Sequence, residues 1–109
     1  MDKTTDYLAE VRKYVQFINT KIKVDKVILF GSHAKAAATN ESDIDLAIVS
    51  SEFGKSPLNE KMDLYEWRHY AQLDAEIQPF PFSPIEFDGD HFFIEEIRRT
   101  GIDITDQVI

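Results

Sequence analysis

A glycine–serine pair and two closely spaced aspartates are the residues of this chain best suited to chemistry. Gly31 and Ser32 follow one apolar run. After ten further residues, Asp43 and Asp45 open a second apolar run. If that run is a strand, the two carboxylates lie on one face and repel each other unless a positive charge lies between them. Because the donors are oxygen atoms and the chain has no cysteine, the pattern favours a hard cation, Mg²⁺ or Mn²⁺.

The glycine–serine pair predicts a phosphate-binding turn. Glycine lets a ligand approach the backbone closely, and amide groups at the start of a helix bind phosphate. Lys35 follows three residues after Ser32 and would add positive charge at the same phosphates. A phosphate site and a cation site on neighbouring elements are what nucleotidyl or phosphoryl transfer requires. Without this context, a turn at residues 42–43 and a solvated Asp45 on a sheet edge would be the simpler interpretation.

The apolar pattern predicts the elements that position these residues. Helices are predicted at residues 4–20, from about 33, at 57–69 with Ser56 as N-cap, and at 91–99 with Gly101 as the stop signal. Strands are predicted at residues 24–30, 43–49, 71–78 and 102–105, with a turn at 39–42 and an irregular segment at 79–84. This order predicts an α/β (α+β) fold, with a small mixed β-sheet flanked by helices, in one domain of residues 1–109.

Alternation within residues 43–49 assigns the side chains of the second strand to two faces. Asp43 and Asp45 share one face with Ala47, whereas the apolar side chains at positions 44, 46 and 48 form the other. The apolar face is predicted to contact the core and the acidic face to lie outside it. Replacing Asp45 by asparagine should therefore leave the fold intact.

Composition and charge exclude several functional classes. The formal net charge of −8 repels nucleic acid in the absence of a local basic patch, and the lysines and arginines form no long run. No segment approaches the roughly 18 apolar residues of a membrane span. The N-terminal residues also lack the apolar core of a secretory signal. We therefore expect a cytoplasmic protein that has neither nucleic acid nor membrane as a partner.

The segment VILFGSHAKAAATNESDIDLAIVS, residues 27–50, resembles the signature of the DNA polymerase beta-type nucleotidyltransferase superfamily. The chain length further resembles that of the minimal nucleotidyltransferases (MNT). The resemblance implies a nucleotidyltransferase fold, two Mg²⁺ or Mn²⁺ ions, and transfer of a nucleoside monophosphate, AMP above all, from ATP or another nucleoside triphosphate to a hydroxyl acceptor. It also implies that Asp43 and Asp45 are catalytic and bind the metal. Gly31, Ser32 and Lys35 would bind the nucleotide phosphates.

The same resemblance implies a third carboxylate, on the next strand. Residues 71–80 offer Asp74 and Glu76, which a strand would place on one face with Gln78. Asp74 fits better as the third catalytic and metal-binding acid, because it follows a leucine and lies five residues before Pro79. Glu76 is the alternative. The simpler interpretation of both is that they are solvated residues on an exposed strand face.

Two positions depart from the family pattern. Many members carry arginine or an aromatic residue where this chain has His33, and glycine where it has Ala36. Neither position is a metal ligand in the family, so these departures concern contacts with the triphosphate.

The resemblance also implies a protein partner. MNT proteins resemble the antitoxin half of paired systems whose other half is a helical HEPN-type protein, which the MNT protein can adenylylate. A chain of 109 residues shows no second domain to bind an acceptor, so we expect a partner protein or a homo-oligomer. Residues 79–87, together with Phe92 and Phe93, are the candidate apolar contact surface.

Two other functions stay open on the sequence alone. The first is a non-catalytic binding module that neutralises or regulates a partner protein by contact. The second is a regulatory domain that binds phosphate or metal without transfer chemistry. Metal-dependent turnover of a nucleotide with release of pyrophosphate separates the enzyme from both.

Overall fold

The computed structural model describes residues 3–34 and 43–109, and of residues 3–6 it describes the backbone only. The predicted helix start after residue 33, the predicted turn at 39–42, Lys35 and Ala36 therefore lie wholly or mainly outside the described residues. No helix in the described ranges is both long enough and apolar enough to cross a membrane.

The described elements form one mixed four-stranded sheet flanked by helices. In chain order they are α1 (Lys3–Ile18), β1 (Lys26–Phe30), β2 (Ile44–Val49), α2 (Pro57–Tyr70), β3 (Ile77–Phe82), α3 (Pro84–Phe87), α4 (Phe92–Thr100), β4 (Ile102–Asp103) and α5 (Thr105–Val108). The strand order is β3-β2-β1-β4, in which β1 is antiparallel to both neighbours and β2 is parallel to β3. The predicted fold class is confirmed.

Both faces of the sheet are buried. One face packs against α1, α2 and α5 around the buried side chains Val11, Tyr14, Val15, Ile18, Leu29, Leu46, Ile48, Leu64, Ile77 and Val108. The other face packs against α3 and α4 around Ile28, Phe30, Ala47, Val49, Phe87, Ile94 and Ile97. The prediction that the acidic face of β2 lies outside the core is therefore wrong for most of the strand, because α3 and α4 cover it. Asp45 is half-buried and Asp43 is exposed at the start of that face.

The third strand begins and ends later than predicted. Residues 71–76 form a turn and a bend, and β3 then runs through two prolines that had indicated an irregular segment. Proline has no N–H to donate, so it is tolerated in strands that lie at a sheet edge. β3 is such an edge, since among the described strands its one neighbour is β2. This edge position accounts for both errors in the predicted boundaries.

A buried hydrogen bond fixes α1 against α2. The Tyr14 hydroxyl donates to the carbonyl oxygen of Leu64 over 2.6 Å, and both residues are buried in the first core cluster. Tyr14→Phe keeps the ring and removes the donor, so we expect the free energy of unfolding to fall by about 1 kcal/mol. Urea denaturation measures this change. Tyr70→Phe is the matched control, because Tyr70 is 58% exposed; equal stability of the Tyr14 variant and the wild type would contradict the prediction.

Candidate active site

Gly31 and Asp45 meet where β1 ends. The antiparallel register pairs Phe30 with Asp45, so the next residue, Gly31, leaves the strand beside the Asp45 side chain. Gly31 has φ +75°, in the left-handed region that favours glycine. A Cβ atom at this position would collide with the Oδ2 atom of Asp45. The glycine is thus required twice, by its backbone conformation and by the carboxylate that lies against it.

The two aspartates of the motif are close enough to influence each other. Burial raises the pKa of Asp45, the neighbouring charge of Asp43 raises it further, and His33 lowers it. The His33 ring lies 5.1 Å from the ring of Tyr7, measured between centroids, which places the histidine between α1 and the acidic pair. A carboxylate whose ionised form is disfavoured by burial and by a second carboxylate gains most from a bound cation. The donor set of Asp43 and Asp45 therefore fits a hard divalent ion.

The predicted phosphate-binding residues lie at the same end of the sheet. Gly31 is half-buried against Asp45, and Ser32, the next residue, is exposed. The backbone that follows β1 is thus open to a ligand beside the acidic pair. Lys35, the third predicted phosphate-binding residue, lies outside the described residues.

Asp74 lies in the bend that precedes β3, on a segment held by α1. The backbone N–H groups of Asp74 and Ala75 both donate to Oε1 of Glu10, the second over 3.0 Å. Glu76 follows the bend and accepts a hydrogen bond from Arg68 over 2.9 Å. The prediction that Asp74 lies on a strand with Gln78 is wrong, because Asp74 lies in the bend and the strand begins at Ile77. The Glu76 side chain does meet that of Gln78, whose Nε2 donates to it over 3.1 Å.

The described residues do not gather three acids. Within residues 3–34 and 43–109, no group of three Asp, Glu or His side chains is arranged to hold a metal ion. The structure brings Asp43 and Asp45 within each other's influence, and among the described residues Asp74 does not complete a group of three with them. A metal-binding role for Asp74 stays a prediction.

Gln78 lies in the sheet position next to Asp45, and the sequence did not identify it as a site residue. The parallel register pairs the Cα atoms of Asp45 and Gln78, so both side chains project from the same face. The Gln78 amide is held on both sides: its Oε1 accepts from the Tyr65 hydroxyl over 2.8 Å, and its Nε2 donates to Glu76 over 3.1 Å. The sequence feature that could have identified it is its polarity, since Gln78 is the one polar residue of β3.

Comparisons with known proteins identify the family of this chain. The sequence matches the family described as "Polymerase beta, Nucleotidyltransferase" over residues 12–107. Two relatives from Methanocaldococcus jannaschii are each named "Putative protein adenylyltransferase". One is 35% identical over a match that covers 60% of this chain and 66% of the relative. The other is 28% identical over a match that covers 86% of this chain and 94% of the relative.

A solved structure shares the fold. It is a crystal structure described as a "putative nucleotidyltransferase" from Sulfolobus solfataricus, with a TM-score of 0.70, 14% identity, and coverage of 93% of this chain and 81% of that one. At this identity the likeness bears on the fold alone. The family match covers nearly the whole chain and includes both the glycine–serine pair and the acidic pair. The chain therefore belongs to the polymerase beta nucleotidyltransferase family, and nucleotidyl transfer is the general class of reaction that its family and its fold support.

Proposed function

We propose that this protein transfers AMP from ATP to a hydroxyl group of a partner protein in the cytoplasm, in a reaction that depends on Mg²⁺ or Mn²⁺. The observation that carries the proposal is the Asp45 carboxylate, which lies against the backbone of Gly31 with Asp43 nearby. This arrangement combines a cation site with an open backbone at one end of the sheet. The names of the two archaeal relatives support protein as the acceptor and AMP as the group transferred.

Each residue of the site has a role in this proposal. Asp43 and Asp45 would hold the divalent ion, and Gly31 and Ser32, together with Lys35, would bind the triphosphate. The bound ion supplies positive charge that offsets the charge of the phosphates. Two ions are proposed for the complex with nucleotide, because the triphosphate brings oxygen ligands and negative charge of its own.

The reaction needs no covalent intermediate with the enzyme. The acceptor hydroxyl oxygen forms a bond to the α-phosphorus of ATP while the bond from that phosphorus to the bridging oxygen breaks. Pyrophosphate leaves, and the hydroxyl proton passes to solvent. The work of the chain is to align the two substrates and to exclude competing water, which are effects of positioning and electrostatics.

The exposed apolar side chains of α3 and α4 support a protein partner. In the predicted contact segment, Phe87 is buried, while Phe80 and Phe82 pack against the second core cluster. By contrast, Ile85 is 86% exposed and Phe92 is 80% exposed. A contiguous patch of exposed apolar side chains marks a contact surface, and we propose that these two side chains form part of one. We propose that they contact a helical HEPN-type partner, with this protein as the antitoxin half of the pair.

One observation favours a second candidate, a binding module that regulates its partner by contact without catalysis. Within the described residues the acidic pair has no third acid beside it. A site with fewer charged ligands binds cations less tightly, so turnover would be slow or absent. Such a module would still form the complex with its partner.

Labelling with ATP tests the proposal. The purified protein is incubated with ATP labelled at the α-phosphate, Mg²⁺ and the protein encoded by the neighbouring reading frame. We expect label on that partner and release of one pyrophosphate per label, both lost when EDTA is added. A complex that forms without label or pyrophosphate would leave the binding module as the function. Label on the chain itself would instead identify this protein as its own acceptor.

A further inference from the structure

The neighbour of Asp45 on β3 is Gln78, an amide at a position where a cation site could use another acid. Asp45 and Gln78 are paired in the β2–β3 register and project from one face. Neighbouring strands lie about 4.7–4.9 Å apart, so the start of the Gln78 side chain is adjacent to that of Asp45. At this position of the sheet the chain therefore carries an uncharged amide.

A chain of hydrogen bonds fixes the orientation of the amide. The Tyr65 hydroxyl donates to Oε1 of Gln78, and Nε2 of Gln78 donates to Glu76. Arg68 donates to the same Glu76 oxygen over 2.9 Å and to the carbonyl oxygen of Ile77 over 2.8 Å. Because an amide oxygen has two lone pairs, Oε1 can accept from Tyr65 and still face a ligand.

Charge determines what such a site can hold. Asp43 and Asp45 together carry two negative charges, which one divalent ion balances. Glu76 adds little to this sum, because its carboxylate is paired with Arg68. A second divalent ion close to the first would be repelled until further negative charge arrives, and the triphosphate is the substrate that brings it. Mg²⁺ is commonly held in this way, by one or two carboxylates together with substrate phosphates.

We propose that Gln78 belongs to the cation-binding site as its neutral member, so that the chain binds one divalent ion per molecule before nucleotide arrives. This inference rests on the proposed function, in which Asp43 and Asp45 hold the ion. Gln78 acts as a positioning and affinity-setting residue, since a glutamate in its place would bring a third charge beside Asp45. The protein thereby couples the second ion to the arrival of the triphosphate.

Manganese binding without nucleotide tests the inference. Mn²⁺ is titrated into the metal-free protein, and bound ion is measured by electron paramagnetic resonance and by calorimetry. The wild type is expected to bind one Mn²⁺ per chain. Gln78→Glu is expected to bind it more tightly by on the order of tenfold, because cation affinity rises with the number of charged ligands.

A charge-neutral swap separates a local effect from the change in net charge. The double variant Glu76→Gln/Gln78→Glu moves one carboxylate by two positions and keeps the net charge. It also avoids placing two glutamate side chains in contact, since the side chains at positions 76 and 78 are hydrogen-bonded in the wild type. It should also bind Mn²⁺ more tightly than the wild type, and it serves as the test if the single variant fails to fold. Gln107→Glu is the matched control; it adds the same charge on α5, which packs near Val27 at the opposite end of β1.

The outcomes distinguish this inference from the function on which it rests. Two Mn²⁺ ions per wild-type chain without nucleotide would overturn the inference. Unchanged affinity in Gln78→Glu and in the swap, with binding lost in Asp45→Asn, would also overturn it while leaving the metal site in place. Binding that is absent in the wild type, or unaffected by Asp45→Asn, would overturn both.

Discussion

The Asp45→Asn protein is expected to transfer nucleotide roughly 10²–10³-fold more slowly than the wild type. Asparagine keeps the shape of the side chain and removes one of the two charges that would hold the divalent ion. The half-buried carboxylate lies against Gly31, at the end of β1 where the phosphates are proposed to bind. Pyrophosphate release and labelling of the partner measure the loss. Full activity in this variant would remove the acidic pair from the mechanism.

The same substitution is expected to stabilise the protein slightly when divalent ions are absent. Burial, together with the charge of Asp43, raises the pKa of Asp45 in the folded state. A carboxyl whose folded pKa lies above its unfolded value binds its proton more tightly in the native state, so ionising it destabilises the fold. The advantage of Asp45→Asn should be absent below the unfolded pKa of about 3.9. It should then grow as the pH rises through the folded pKa and remain constant above it.

Two further aspartates serve as comparisons. Asp106→Asn removes an exposed charge on α5, away from the site, and should change neither activity nor stability. Asp74→Asn tests the predicted third ligand: a loss of activity as large as that of Asp45→Asn would support a metal-binding role for Asp74, and unchanged activity would contradict it. Urea denaturation in EDTA, repeated across pH, supplies the stability values for all three variants.

The sequence was sufficient to locate the two strands that carry the candidate site, because local signals agreed there. Residues 27–30 and, apart from Asp45, residues 44–49 are apolar and rich in β-branched side chains, a composition typical of buried strands. Gly31 interrupts the first run at the position where the structure requires φ +75°. The spacing of Asp43 and Asp45 then follows from strand alternation, which is a local property of the backbone. The pairing of β1 with β2, which the strand pattern alone does not specify, then places Gly31 beside Asp45.

The third strand could not be placed in the same way, because its signals depend on tertiary context. Pro79 and Pro81 break a central strand but not an edge strand, and the sequence does not reveal that β3 lies at the edge. The turn before it contains Gln72 with φ 56°, a left-handed conformation that the residue type does not announce. The sequence therefore predicts a start of β3 that is too early, and Asp74, the predicted third acid, lies in a bend before the strand. Register, not residue type, identifies Gln78 as the neighbour of Asp45.

The sequence did not predict that α3 and α4 cover the acidic face of β2, for a related reason. Ala47 and Val49 alternate with the aspartates and are small enough to suit either a solvated or a buried face. Their burial is decided by α3 and α4, which return to the sheet from a distant part of the sequence. The uncovered part of the face is then confined to the end that carries Asp43 and Asp45. This is why one short segment can be both core and site.

The second large effect is expected at Gly31. In Gly31→Ala the new Cβ would collide with Oδ2 of Asp45, and alanine would have to adopt φ +75°. The left-handed conformation alone costs about 1–2 kcal/mol for a residue with a Cβ, and relief of the collision displaces the carboxylate that would hold the ion. We therefore expect the free energy of unfolding to fall by at least that amount. The affinity for ATP in the presence of Mg²⁺ should also fall by at least about tenfold, equivalent to 1.4 kcal/mol.

Gly54 provides a matched control that separates backbone strain from damage to the site. Gly54 lies in the loop that leads to α2 and has φ +99°. A Cβ atom on this residue would lie 3.2 Å from the Cβ atom of Ser83. Gly54→Ala should therefore lose stability while ATP affinity stays at the wild-type value.

A double-mutant cycle isolates the contact between Gly31 and Asp45. Gly31→Ala and Asp45→Ala should together cost less stability than the sum of the two single changes, because the collision is absent once the carboxylate is removed. If the two costs add and ATP affinity survives Gly31→Ala, the carboxylate does not lie against this glycine in solution, and the geometry on which the proposed site rests is wrong.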